Sequence, residues 1–160
     1  MSAVLHIVTY DARYKDAFAR LNYAWIERYF AVEAVDRQIL DDPEGQIIAT
    51  GGQIFFALSG DRAIGTVALK KEAAGRFELT KMAVEETMRG QGCGKLLLQA
   101  AIDYARKLAA TQVVLSSNTV LTPAITMYRT AGFTERQQAQ SCYTRCNIYM
   151  ELDLNQPPRR

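Results

Sequence analysis

The residues best suited to chemistry in this chain lie between Arg89 and Lys95, where Arg-Gly-Gln-Gly-Cys-Gly-Lys sets glycines at positions 90, 92 and 94. A β-prone run, Leu79 to Val84, comes before them, and a Leu/Ala-rich segment with helical spacing comes after. Strand, glycine loop, helix is an arrangement that brings free backbone N–H groups to an anion. Glycine lets the backbone approach closely, and the helix N-terminus adds unpaired donors and a partial positive charge. Lys95 falls in the first helical turn, where a cation is unfavourable unless an anion is near. Cys93 stands at the same helix start, a position that can lower a thiol pKa, so a nucleophilic thiolate competes with simple binding. Spacing excludes two familiar phosphate loops. A P-loop needs a glycine five residues before Gly94 and a hydroxyl after the lysine, and the chain has Arg89 and Leu96 there. A dinucleotide fingerprint counted from Gly90 needs glycine at 95, which is lysine.

The totals bound what can surround this loop. At 160 residues, 49% apolar and 22% charged, the chain has the make-up of one domain with a real core. A net charge of +2 gives no reason to expect nucleic acid or a membrane as partner. No apolar run approaches the roughly 18 residues of a membrane span, and the N-terminus lacks the basic and apolar regions of a signal peptide. Cys93, Cys142 and Cys146 are odd in number and widely spaced, which makes neither a disulfide framework nor a zinc pattern. The simplest reading is a reduced, cytoplasmic protein with no metal, its domain spanning residues 1–154 and a frayed tail 155–160.

The elements that position the loop follow from periodicity and punctuation. Val4 to Tyr10 reads as a strand and Lys15 to Phe30 as a helix, with Phe18, Leu21, Trp25 and Tyr29 on one face. A short helix at Asp36 to Leu40 stops at Asp41-Asp42-Pro43. Gln53 to Leu58, Ala63 to Lys70 and Phe77 to Val84 form a meander joined at Gly60-Asp61 and at Gly75. The main helix, Gly92 to Ala109, has Leu96, Leu97, Ala100, Ala101, Tyr104, Ala105 and Leu108 as its apolar face. Gln112 to Ser117 then returns parallel to the meander. Thr122-Pro123 opens a helix that ends at Ala131-Gly132, and strands at Glu135 to Gln140 and Asn147 to Leu154 close the chain. The order β-α-α-β-β-β-α-β-α-β-β predicts an α+β domain, one mixed sheet of six to seven strands with helices on both faces.

Arg89 to Gly94 fits the pattern [QR]-x-x-G-x-[GA], and with its flanking strand and helix it resembles the acetyl-CoA loop of the GNAT superfamily of N-acetyltransferases. Asn118 after the Val113–Ser117 strand, and Ala124-Ile-Thr-Met-Tyr128-Arg-Thr-Ala-Gly132-Phe133, are similar to the downstream motif of that superfamily, in its order and spacing. The resemblance implies an acetyl-CoA-dependent N-acetyltransferase, with acetyl-CoA as cosubstrate and direct attack by a primary amine of a small molecule or peptide. It implies that the backbone of Arg89, Gly90, Gln91, Gly92, Cys93, Gly94 and Lys95 holds the pyrophosphate. Met82, Ala83 and Val84 would offer a strand edge to the pantetheine arm, with an N–H of Met82 or Ala83 at the thioester carbonyl, and Asn118 would bond the arm. Tyr128 is the implied general acid. Glu78 is the implied general base, at the offset from Arg89 used by the histone-acetylating branch, and a carboxylate in an apolar strand should have a raised pKa that suits the task. Acceptor selectivity in such proteins comes from the first helices and the last hairpin, here with Tyr29 and Glu33 as candidates. An aromatic and acidic lining would suit a cationic amine, whereas Arg28 and Arg145 argue equally for a carboxylated one. A non-catalytic acyl-CoA-binding module is the alternative reading, and a homodimer is a family habit.

Overall fold

A computed structural model describes residues 4–137 and 143–155. The elements are β1 (Leu5–Thr9), α1 (Lys15–Tyr29), α2 (Ala34–Asp41), β2 (Gln53–Ser59), β3 (Arg62–Ala73), β4 (Arg76–Val84), α3 (Cys93–Lys107), β5 (Gln112–Ser117), α4 (Thr122–Ala131), β6 (Thr134–Arg136) and β7 (Ile148–Asp153). This is the expected order. Among the described residues, seven strands join one mixed sheet in the order β1-β2-β3-β4-β5-β7-β6, and only β4 and β5 pair in parallel, across the α3 crossover.

Residues 54–58 of β2 are buried without a break, because both faces of the sheet are covered. Phe55 and Ala57 pack on the α3 and α4 side. Ile54, Phe56 and Leu58 pack on the α1 and α2 side with Phe18, Ile26 and Leu40. The chain thus has two cores back to back, and the ends of β4 and β5 lie between the two helix layers.

Several expectations shift. The inward stripe of α3 is Cys93, Leu97, Leu98, Ala101, Ile102 and Ala105, while Leu96 and Leu108 are 45% and 50% exposed. The stripe starts at Cys93, which packs against β3, so the buried face lies one position later than the Leu96-based phase. On α1 the buried residues are Phe18, Leu21, Asn22 and Ile26, and Tyr29 is exposed. Asn22 tolerates burial because its amide donates to the Phe18 carbonyl at 3.0 Å. β6 is shorter than the expected Glu135–Gln140, and residues 138–142, with Cys142, lie outside the described residues, as do 156–160 of the expected tail. β7 is the inner strand of the closing pair, bonded to β5 on one side and β6 on the other. A π turn at Glu44–Ile48 and 3-10 turns at Ala12–Tyr14 and Glu86–Met88 have no clear sequence signal. Among the described residues, no helix is long and apolar enough to cross a membrane.

Candidate active site

The parallel pairing of β4 with β5 stops at Glu78 opposite Val114, although β4 runs on to Val84 and β5 to Ser117. Beyond that point the strands part. The other edge of β4 is irregular at the same place, where Thr80 pairs with Ala68 and Ala83 with Thr66. Lys81 and Met82 therefore face Val67 alone, which is a β-bulge, and Lys81 adopts the left-handed conformation at φ 56°. The bulge exchanges the facing of two side chains. Strict alternation would send Lys81 into the apolar core beside Phe77 and Leu79. Instead its ammonium reaches Asp36 on α2, and Met82 takes the place against the α3 core. The parted strands open a cavity of about 560 Å³, walled also by the 89–95 loop, by α4 and by α1.

At the loop, Gly90 and Gly92 have φ of 79° and 82°, and a Cβ on either would meet nothing within 4 Å. Conformation alone requires glycine there, and the space before the backbone is open. Among the described residues, no backbone N–H from Gly90 to Lys95 donates to a protein acceptor. Those of Gly92 to Lys95 are the orphan donors of the α3 start, and with the two before them they form a candidate cradle for an anion such as a pyrophosphate. Gly92→Ala should weaken acetyl-CoA binding at least tenfold by calorimetry while costing the fold only about 1 kcal/mol of backbone strain. The Arg89 side chain does not enter the cradle. Its Nε donates to the Val84 carbonyl at 3.2 Å and Nη1 to the Tyr29 hydroxyl at 2.7 Å, which ties the loop to α1.

Cys93 contributes backbone only. Its side chain is 2% exposed, turned toward Gly65 of β3, and burial pushes the thiol up to about 11. A thiol held protonated in a core is a poor nucleophile. Cys93→Ala should keep turnover within a few-fold and cost about 1 kcal/mol in a thermal melt; loss of all turnover would restore the nucleophilic thiolate.

Tyr128 comes from the middle of α4, with its ring 5.9 Å from Phe133 and only 8% exposed. Burial raises its phenol to about 12, so it holds its proton at neutral pH and can act as a donor. It lines the cavity, and its hydroxyl makes no hydrogen bond among the described residues. Asn118 also lines the cavity. Its Oδ1 accepts from the Val120 amide at 2.9 Å and its amide donates to the Arg145 carbonyl at 2.7 Å, so one amide hydrogen is left. Met82, Ala83 and Val84 lie along the parted stretch of β4 and line the cavity together.

Glu78 sits where the strands begin to part and does not line the cavity. Burial, with Glu72 nearby, raises its carboxyl above the ordinary range, against the pull of Lys70 and Lys81. Tyr29 is at the rim, its hydroxyl held by Arg89. Glu33 is not in the lining: it accepts from the Thr144 amide at 3.0 Å and from Arg145 at 3.1 Å. Arg28 pairs with the exposed Glu86 at 3.0 Å.

Sequence reading missed a buried charge cluster beside these residues. Asp36, fully buried, accepts from Lys81 Nζ at 2.7 Å, from both terminal nitrogens of Arg145 at 2.7 Å, and from the Glu33 amide at 2.8 Å. Lys81 also donates to the Tyr143 hydroxyl at 2.8 Å, and Lys81 and Arg145 lie 4.3 and 4.5 Å from the centre of the Tyr143 ring. Burial opposes the Asp36 carboxylate, but these donors win and hold it at about 2. One signal was available: Lys81 occupies an inward phase of an alternating strand, where a lysine needs a buried partner.

A parted parallel strand pair, a glycine loop and a buried tyrosine line one cavity. The profile of the acetyltransferase (GNAT) family matches residues 13–133, and the chain belongs to that family. It is 34% identical over 93 residues to N-acetyltransferase 8B of Rattus norvegicus, covering 55% of this chain and 42% of that protein. The chain thus spans less than half the length of that relative. The fold is shared with an acetyltransferase of the GNAT family from Staphylococcus aureus, at TM-score 0.85 and 20% identity over 94% of this chain and 99% of that one. It is shared also with a Salmonella typhimurium protein solved with its cofactor acetyl-CoA, at TM-score 0.77 and 18% identity over 99% and 98%.

Proposed function

We propose that the protein is an acetyl-CoA-dependent N-acetyltransferase that acetylates a primary amine of a small molecule or peptide by direct attack in a ternary complex. The observation that carries this is the parting of β4 from β5 next to a loop whose amides have no protein acceptor. Acetyl-CoA would supply the activated acyl group as a thioester. The loop amides from Gly90 to Lys95 hold its pyrophosphate, whereas the Arg89 amide, expected to join them, already donates to the Glu86 carbonyl at 3.3 Å. The free edge of β4 at Met82, Ala83 and Val84, with the remaining amide hydrogen of Asn118, aligns the arm between the strands. An N–H of Met82 or Ala83 faces the thioester carbonyl and offsets the negative charge that grows there. Tyr128, protonated at neutral pH, delivers a proton to the departing sulfur. Glu78, set back from the cavity, draws the proton of the attacking amine through a relay. One C–N bond forms, one C–S bond breaks, and the amine proton is balanced by the proton on the thiol. The same reading has the protein cytoplasmic, metal-independent and able to form a homodimer, which light scattering tests.

The test pairs calorimetry with a screen for thiol release. Acetyl-CoA, ATP and NAD are titrated separately, and polyamines, amino acids, aminoglycosides and peptides are offered as acceptors. Tight binding of ATP or NAD alone would end this reading. Binding of acetyl-CoA without thiol release from any amine would leave an acyl-CoA-binding module.

A further inference from the structure

The charges around the acceptor end of the cavity are layered. No Asp or Glu lines the cavity among the described residues. The remaining segments, 1–3, 138–142 and 156–160, contain no acidic side chain that could add one. Lys81 and Arg145 do line it, and the carboxylates that neutralise them, Asp36 and Glu33, stand behind and outside the lining. Lys81 and Arg145 thus stand nearer the cavity than their carboxylates do, with side chains 3% and 14% exposed. Lys81 has three donor hydrogens, with bonds to Asp36 and the Tyr143 hydroxyl accounting for two. Arg145 has five, with three bonds to Asp36 and Glu33. Both keep donors beyond the ones that hold them in place. The neighbouring wall is aromatic: Trp25 lies 5.5 Å from Tyr29 and 5.9 Å from Phe30 between ring centres.

We infer that the acceptor is a primary amine that carries a flat apolar group and a carboxylate, as an aromatic amino acid does, and is not a polyamine or an aminoglycoside. This rests on the acetyltransferase reading above. A second ammonium on the acceptor would find no carboxylate in the cavity and would face Lys81 and Arg145, a like-charge contact in a partly dry site. A carboxylate there meets the spare donors as charge-assisted hydrogen bonds. The aromatic wall takes a planar body by offset or tilted stacking. The cationic wall has a further consequence, since positive neighbours favour the neutral form of an amine, which is the form that attacks.

Wild-type full-length protein suffices for the test. Thiol release from acetyl-CoA is measured with phenylalanine, phenylalaninamide and spermidine. The expected kcat/KM for phenylalanine exceeds that for its amide by roughly tenfold or more, the scale of one charge-assisted hydrogen bond. Spermidine should fall roughly a further tenfold lower. An amide or spermidine that equals or beats phenylalanine overturns the inference. A second readout does not need turnover. Trp25 is the single tryptophan of the chain, so its fluorescence in the CoA-loaded protein reports entry of each compound. Saturation by phenylalanine but not spermidine, with no thiol release, would uphold the acceptor class and sink the reaction. Saturation by spermidine alone, or no response and no turnover with any of the three, would sink the acceptor class.

Discussion

Asp36→Ala should lower the stability of this protein by about 3–5 kcal/mol, the largest single loss expected from any one side chain outside the apolar cores. The carboxylate is fully buried and holds Lys81 and Arg145 at 2.7 Å each. Its removal leaves two cations with too few partners in a poorly solvated place. A thermal melt should fall on the order of 10 °C for a chain of this size. Activity should suffer beyond the loss of stability. Nothing else among the described side chains neutralises Lys81 at close range, and Lys81 occupies the left-handed bulge residue that turns the β4 edge toward the cavity. The expected signature below the new melting point is a fall in kcat larger than the change in acetyl-CoA affinity. The pH dependence has a definite sign. Asp36 is held at about 2, below its ordinary value of 3.8, so its contribution is complete above about pH 4 and is lost as pH falls toward 2. Asp36→Asn should flatten acid unfolding in that window. A melt unchanged by Asp36→Ala would mean that the cluster contributes nothing net to the fold.

Tyr128→Phe should lower kcat by roughly a hundredfold or more, the usual scale for loss of a positioned general acid, with little change in acetyl-CoA affinity or in the melt. The separation of the two effects follows from the surroundings of the ring. Its packing against Phe133 survives the substitution, and the hydroxyl has no hydrogen bond among the described residues for the fold to lose. Burial places the phenol at about 12, so the hydroxyl is protonated across the working range, and its titration should not shape the neutral limb of a pH–rate profile. In the proposed mechanism that limb belongs to the acceptor amine and its base. An unchanged kcat would remove Tyr128 from the chemistry and leave it a wall of the cavity.

The sequence alone was enough for the element order and for the glycine turn that opens α3. Alternation and helical spacing mark strands and helices independently of their neighbours, and Gly90 and Gly92 announce a left-handed backbone because no other residue adopts it cheaply. The Arg89–Gly94 and Ala124–Phe133 patterns added the family. Phase was less secure. On α3 the apolar residues extend around more than one face, and only packing of Cys93 against β3 decides that Leu98 is inside and Leu96 outside. What tertiary structure alone decided is the buried charge cluster beside the cavity. Asp36, Lys81 and Arg145 are up to 109 residues apart, and no local pattern brings them together. Their meeting depends on a bulge, a change of one residue in register that turns Lys81 from one face of the sheet to the other. The glycine loop is written in consecutive residues because it uses backbone. The charge cluster is assembled from three distant segments because it uses side chains.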